Sequence, residues 1–216
     1  MTTEESPRLP SGWVLDDTSA EEVERQRAVY EPFTNRLREL VDLGIRSEVD
    51  LATVSEAQLH LEAAIELLGE KTIEGGYGVR IGDGFGRNWG NAIMGLRNAI
   101  APPLTIETDG VSRSWTDFEL GAPYEGPPTF VHGGVLSLVL DHVFGAAAGA
   151  DHTPYMTGTL TLRYERATRL HVPLRAEAWI DRKEGRKSFV VGFVADAEGH
   201  TVDAEGVFIQ PRAWGG

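Results

Sequence analysis

The stretch that most constrains the fold runs from Pro127 to Gly149. It begins as a Pro- and Gly-rich loop, and from about His132 it has the composition of a helix that is apolar or small on nearly every side. Its single carboxylate is Asp141, nine positions after His132. A helix without a polar face has to be covered by the rest of the chain. We therefore expect the neighbouring segments to wrap this helix.

Strand-like segments lie on both sides of the helix. Before it, residues 104–108 and 112–120 alternate apolar and polar side chains around Asp109-Gly110, a dipeptide typical of β-hairpins. After it come four segments enriched in Thr, Val, Phe, Tyr and Trp, with short turns between the last three: residues 155–165, 174–182, 188–196 and 201–210. This order predicts an α+β domain over residues 104–212, a six-stranded antiparallel sheet curled around one central helix.

The N-terminal part of the chain predicts two helices. Residues 19–43 have an amphipathic pattern with Ser19 as the cap, and Pro32 is expected to kink this helix or to divide it. A second helix is predicted over residues 54–68, with Ser55 at its start. Neither helix carries a catalytic constellation, so we interpret both as a packing or lid extension.

These patterns divide the chain into three parts. Residues 1–75 form the helical extension and its lead-in, and residues 104–212 form the main domain. Between them, residues 76–103 are rich in glycine but fit neither the Walker nor the Rossmann pattern, so we predict a connecting loop.

Composition excludes several classes of function. A formal net charge of -13 argues against general binding to nucleic acid or to anionic membranes. The chain has no cysteine, so thiolate metal sites and cysteine nucleophiles are excluded. His132 and His142 point in different directions on the helix and Asp141 has no third ligand nearby, so we expect no metal and no cofactor. No apolar run is long enough to span a bilayer, and the first ten residues lack a signal-peptide pattern, which together predict a cytoplasmic protein.

Several motifs then identify a family. They are Tyr124–Pro128, Val131–Val135, Asp141, Thr157–Leu160, Arg163-Tyr164, Glu184–Lys187 and Ala204–Phe208. With them the sequence resembles the hotdog-fold acyl-CoA thioesterases of the phenylacetate-pathway (PaaI-like) type over about residues 88–211. The spacing of Asp141 and Thr157 is similar to that of mammalian acyl-CoA thioesterases that use an Asp on the helix and a Thr on the next strand.

The sequence departs from the family pattern at three places. Asn91 is followed by Ala92, where the family usually has a proline, and Arg166 is followed by Ala167 instead of proline. Some members carry an asparagine in the loop before the histidine, at the position of Gly126. That difference places more of the water-positioning role on Thr157.

The resemblance implies hydrolysis of an acyl-CoA thioester to free acid and CoA. Asp141 would act as general base or as nucleophile, two roles that the sequence does not separate. The N–H groups of Gly133 and Gly134 would stabilise the oxyanion, and Thr157 would orient the water or Asp141. Burial is expected to raise the pKa of Asp141, and a hydrogen bond from Thr157 would oppose that. His132 either takes part in the chemistry or fixes the helix start.

Substrate contacts are assigned to a second group of residues. Ser137 lies one turn before Asp141, and Phe130 is a candidate to limit the acyl pocket. Arg163, Arg186 and Lys187 are candidates for the CoA phosphates. Since hotdog proteins pair to complete their sites, the resemblance also implies a homodimer or a dimer of dimers.

One alternative to catalysis stays open at this point. A hotdog protein of the same sequence pattern would bind acyl-CoA or lipid without hydrolysing it, with the N-terminal helices as a lid or a partner surface. A hotdog hydratase is disfavoured because its Asp/His pair is not recognisable here.

Overall fold

A computed structural model describes residues 12–82 and 85–212 of the chain. The helices are α1 (Ala20–Arg46), α2 (Leu51–Gly69) and α3 (Gly133–Ala148), with one 3-10 turn at Ala122–Tyr124. The strands, in chain order, are β1 (Trp13–Leu15), β2 (Val79–Gly82), β3 (Phe85–Arg87), β4 (Glu107–Thr108), β5 (Arg113–Phe118), β6 (Met156–Tyr164), β7 (Leu174–Glu184), β8 (Lys187–Asp196) and β9 (Gly199–Ile209).

The main sheet has six antiparallel strands in the order β4-β5-β7-β8-β9-β6, and α3 packs against it. This arrangement confirms the predicted fold class. The hairpin β4–β5 turns at Asp109, whose carboxylate accepts the N–H groups of Val111, Ser112 and Arg113, while Gly110 adopts a φ of 73°. Strand β6 precedes the β7–β9 meander in the chain but does not pair with β7. It pairs with β9 and forms the edge of the sheet opposite β4.

The core lies between α3 and the sheet. From α3 it takes Leu136, Val139, Leu140, Val143 and Phe144, and from the sheet Val190, Val194 and Phe208. The rings of Phe144 and Phe208 meet with centroids 6.4 Å apart. Each such side chain stabilises the fold by about 1.5–3 kcal/mol on burial.

Burial along α3 does not follow a single stripe. Val139 and Val143 are fully buried, but Val135 and Ala146, which lie on the same side of the helix, are half-buried. Ala148, at the end of the helix, is fully buried.

Helix α1 is continuous through Pro32, so the chain does not divide there into two helices. Ser19 caps it as predicted, accepting the N–H of Glu22 at 3.2 Å. Thr34, two residues after the proline, is fully buried. Packing against the body therefore holds the helix together at the point where the proline removes one backbone hydrogen bond.

Helix α2 begins earlier than predicted. Asp50 is its cap and accepts the N–H of Thr53 at 2.8 Å. Ser55 lies inside the helix, where its hydroxyl donates to the carbonyl of Leu51. Asp and Ser are both favourable N-cap residues. Because the carboxylate of Asp50 accepts a free N–H of the first turn, the helix begins before Ser55.

The predicted connecting loop contains strands. β2 pairs in parallel with β1 and antiparallel with β3, which makes a small three-stranded sheet. Arg38 of α1 donates to the carbonyls of Asn98 and Ala101 and so ties α1 to the segment that follows this sheet. In the described part of the chain, no helix has both the length and the apolar character needed to cross a membrane.

Candidate active site

His132 caps the start of α3. Its Nδ1 accepts the N–H of Gly134 at 2.9 Å. A neutral ring that accepts at Nδ1 carries its proton on Nε2. In this orientation of the His132 ring the N–H of Gly134 is engaged. The role of Gly134 as an oxyanion donor stays a prediction.

The N–H of Gly133 makes no hydrogen bond with any of the described residues. Its carbonyl accepts the hydroxyl of Tyr164 at 2.9 Å and that of Ser137 at 3.1 Å. Ser137 and Tyr164 also lie 3.1 Å apart, oxygen to oxygen. Ser137 therefore belongs to the helix start and not to the surroundings of Asp141. Tyr164 belongs to one of the family motifs, but nothing local in the sequence assigns it this position.

The loop before α3 is closely packed onto the helix start. A Cβ at Gly126 would lie 2.7 Å from the Cα of His132, so only glycine fits there. Thr129 adopts a φ of 72°, rare for a β-branched residue, and its N–H donates to Glu125 at 2.7 Å. The helix start is thus held by its loop as well as by its own cap.

Asp141 and Thr157 meet at the other side of the site. The hydroxyl of Thr157 donates to Oδ1 of Asp141 at 2.8 Å. The pairing of β6 with β9 shifts between Thr157 and Thr159, which marks a bulge beside the contact. Asp141 is half-buried, not buried as the sequence analysis expected, and Thr157 is exposed. The second carboxylate oxygen and the lone pairs of the Thr157 hydroxyl remain available to a water or a substrate.

An open cavity of about 510 Å³ surrounds this pair. Besides Asp141 and Thr157 it is lined by Met94, Ile106, His142, Gly145, Ala146, Tyr155 and Phe208. Burial lowers the pKa of His142, while the neighbouring carboxylate of Asp141 acts in the opposite direction. The cavity therefore combines one carboxylate, an imidazole that burial keeps neutral, and mostly apolar walls.

Phe130, the predicted limit of the pocket, lies elsewhere. It forms an isolated backbone bridge with Arg169 in the loop before α3. Met94 and Ile106 line the cavity in its place, and both come from segments far from α3 in the chain.

The predicted phosphate-binding cations do not converge within one chain. Arg163 pairs with Glu165 and approaches Asp203 at 3.7 Å, and Arg186 donates to the carbonyl of Gln210. Lys187 pairs with Ile209, and Ile209 pairs on its other side with Met156, the neighbour of Thr157. Lys187 therefore lies at the same end of the sheet as Thr157. Arg163 is six residues along β6 from Thr157, or about 20 Å.

Asp141 and Gly133 are also separated. They lie eight residues apart on α3, or about 12 Å along its axis. A thioester carbonyl that accepts from Gly133 is therefore out of reach of Asp141 of the same chain. Within the described residues, no group of three His, Asp or Glu side chains is placed to hold a metal ion.

Comparisons with known proteins point to one class. Residues 129–203 match the family model of the thioesterase superfamily. Over 72 residues the chain is 35% identical to acyl-coenzyme A thioesterase THEM4 of Xenopus laevis, and the match covers 33% of this chain and 32% of that protein. The matched segment thus spans about a third of the relative's length.

Two solved structures are similar as well. A thioesterase superfamily protein of known crystal structure is 29% identical, with a TM-score of 0.73 over 91% of this chain and 98% of its own. The PaaI protein of E. coli, from the phenylacetic acid degradation operon, is 14% identical, with a TM-score of 0.47 over 49% of this chain and 82% of its own. The family match and the first superposition confirm the predicted resemblance to hotdog thioesterases. Coverage of 91% also means that the likeness extends into the N-terminal helices.

Proposed function

We propose that the protein hydrolyses an acyl-CoA thioester to the free acid and CoA. The observation that carries the proposal is the hydrogen bond from Thr157 to Asp141 at the wall of an apolar cavity. The matched relative THEM4 is itself named as an acyl-CoA thioesterase, which agrees with this activity.

Asp141 acts on the thioester as base or as nucleophile. As base, its free oxygen takes a proton from water, the water oxygen bonds to the thioester carbon, and the carbon–sulfur bond breaks. The proton then passes to the departing thiolate. As nucleophile, the carboxylate oxygen bonds to that carbon and releases the thiolate, and water cleaves the resulting anhydride. Thr157 donates to Oδ1 in either case and so fixes the direction of the free oxygen.

The oxyanion donor comes from a second copy of the chain. The N–H of Gly133 has no partner among the described residues, and it lies about 12 Å along α3 from Asp141. Two α3 helices from two copies, running in opposite directions, bring one Gly133 beside the other copy's Asp141. His132 then has a positioning role, because its Nδ1 holds the first turn of the helix in place.

The exposed edge of the sheet supports such a pairing. β6 is nine residues long, pairs within the described residues with β9 alone, and exposes most of its side chains. An unpaired edge of this length is a template for another strand. Pairing β6 with its copy sets the two Asp141–Thr157 pairs on either side of one interface. Arg163, Arg186 and Lys187 of neighbouring copies then contact the CoA phosphates together.

The activity is tested by thiol release across acyl-CoAs of increasing chain length and aryl-CoAs. We expect Asp141→Asn to lower kcat by about 10²–10⁴-fold, the usual contribution of a positioned base, with an unchanged melting temperature. Wild-type protein that binds acyl-CoA but releases no thiol from any of these substrates would establish the binding function instead.

The shared site is tested by mixing two inactive variants. Gly133→Pro removes the donor N–H at the first position of α3, and the backbone of His132 (φ -62°, ψ 129°) suits a following proline. A Cβ at this position lies 3.1 Å from the Tyr164 hydroxyl, so Gly133→Ala, which keeps the N–H, is the control for the added bulk. We expect it to lower kcat by about 10²–10³-fold. Co-assembly of Gly133→Pro with Asp141→Asn chains should restore about a quarter of wild-type activity, because half of the dimers are mixed and each has one intact site. No recovery on mixing would place both groups of one site in the same chain.

A further inference from the structure

Helix α2 is apolar but has no buried residue. Seven large aliphatic side chains on its 19 residues are between 40% and 84% exposed: Leu51, Val54, Leu59, Leu61, Ile65, Leu67 and Leu68. Monomeric proteins rarely expose a contiguous apolar surface of this kind. Some surface is therefore expected to cover at least one side of α2.

The residues of α2 form one stripe with the spacing of a paired helix. Starting at Leu51, steps of three and four residues alternate along the whole helix: Leu51, Val54, Gln58, Leu61, Ile65 and Leu68. This 3-4 spacing is the pattern of helices that pack side by side at a small angle. The stripe begins at the first residue of α2 and ends one residue before its last.

We propose that α2 pairs antiparallel with α2 of a second copy of this chain. In that direction the stripe is complementary to itself. Leu51 lies opposite Leu68 of the partner subunit, Val54 opposite Ile65 of the partner subunit, and Gln58 opposite Leu61 of the partner subunit. All six layers fall within the length of the helix, so no apolar stripe residue is left over at either end. A parallel pair would instead set the two Gln58 side chains against each other in the middle.

The residues beside the stripe fit the same pairing. Ala57 and Ala64 flank it on one side and allow the two helices to approach closely, while Ser55 and Glu62 flank it on the other. The antiparallel register brings Glu62 near the partner's Ser55, so that like charges are not opposed. α2 carries three glutamates and no lysine or arginine, which makes it a poor match for an anionic membrane surface.

The exposed area of α2 is that of a contact within a larger assembly. The exposed aliphatic side chains of the stripe offer on the order of 500 Å². A standard interface takes about 800 Å² from each partner. The α2 pair is thus large enough to contribute substantially to an assembly, and it does not depend on the catalytic proposal.

The register is tested by disulfide cross-linking of the full chain, which has no native cysteine. The double variant Val54→Cys/Ile65→Cys should form covalent dimers under mild oxidation. Within one helix these positions are about 16 Å apart, too far for an internal bond. Val54→Cys alone should not cross-link, because in the antiparallel pair Val54 of the partner subunit also lies about 16 Å away along the helix axis. Failure of the double variant to cross-link, or equal cross-linking by the single variant, would overturn the proposal.

A matched pair of charge substitutions then tests the stripe itself. In the double-cysteine chain, Leu61→Glu should slow covalent dimer formation by about a hundredfold, because the pair would bury an unpaired charge. Leu59→Glu, two residues away but off the stripe, should leave the rate unchanged. Gln58→Leu should raise it, since a buried polar group is removed. Equal effects of Leu61→Glu and Leu59→Glu would mean that the stripe is not the contact. Circular dichroism checks that each variant keeps its helices.

Discussion

Two helices of this molecule are rich in apolar residues, yet they have opposite environments. Helix α3 buries seven of its 16 residues, whereas α2 buries none of its 19. The polar residues of α3 are few, and two of them have specific partners on β6, Asp141 with Thr157 and Ser137 with Tyr164. The glutamates of α2 face solvent. Apolar composition alone therefore does not determine burial, because burial depends on what the chain places around the helix.

The difference follows from the neighbouring segments. In the chain, α3 lies between a β-hairpin and four further strands, and all six strands form one antiparallel sheet. The apolar face of this sheet packs on α3. α2 is preceded by α1 and followed by short strands that form a separate small sheet with β1. No element among residues 12–82 and 85–212 buries any residue of α2. The described part of the chain thus completes one core and leaves one apolar helix uncovered.

The largest effect is expected from Phe144→Ala in α3. Its ring is fully buried against Phe208, and truncation should cost about 3–5 kcal/mol in the free energy of unfolding. Urea denaturation at equal protein concentration measures the loss. A cost below about 1 kcal/mol would mean that α3 is not the centre of the core, and that the contrast with α2 is wrong.

Local signals allowed much of the main domain to be predicted. Asp109-Gly110 marks the hairpin, the apolar stretch after His132 marks α3, and alternating residues mark the later strands. The contact between Asp141 and Thr157 was anticipated only from the family spacing. Nothing local shows that two side chains 16 positions apart share a hydrogen bond.

The remaining differences arise from pairings between distant segments. β1 pairs with β2 across more than sixty residues, so the glycine-rich segment gave no sign of a sheet. Met94 and Ile106 reach the cavity through the folding of that same part of the chain. The engagement of the Gly134 N–H depends on the orientation of the His132 ring, which residue identity does not determine.

A smaller effect, on catalysis alone, is expected from Thr157→Val. The carboxylate of Asp141 on α3 accepts from a residue of another element, Thr157 of β6, whereas Glu62 of α2 accepts from Gln58 of its own helix. Hydrogen bonds to charged groups contribute about 1.5–3 kcal/mol, which corresponds to a loss of about 10–150-fold in kcat. Thr159→Val, an exposed position on the same strand without a contact to Asp141, is the control. Equal activities of the two variants would remove Thr157 from the site.

The next effect concerns pH and the half-buried His142 on α3. Burial lowers its pKa in the folded chain below the unfolded value of about 6.5. As the pH falls, His142 therefore takes up its proton at a higher pH in the unfolded chain than in the folded chain. The stabilising contribution of the neutral ring is complete above about pH 6.5 and is lost as the pH falls through the folded pKa.

His142→Gln should remove this dependence. Between pH 7 and pH 5 the wild type should lose more free energy of unfolding than the variant, by at most about 1.4 kcal/mol per pH unit for one proton. Urea denaturation at several pH values measures both slopes. Parallel slopes would show that His142 titrates alike in the folded and unfolded chains.

The smallest effect is expected from Leu67→Ala in α2. Leu67 is 70% exposed and lies off the stripe, so its removal creates no cavity, and alanine favours the helix at least as well as leucine. The free energy of unfolding should change by less than about 0.5 kcal/mol. The same substitution at Leu140 of α3, which is fully buried, should cost about 2–5 kcal/mol. If Leu67→Ala proved as costly as Leu140→Ala, α2 would be packed on a surface of its own chain, and its exposed stripe would not be free to meet a second copy.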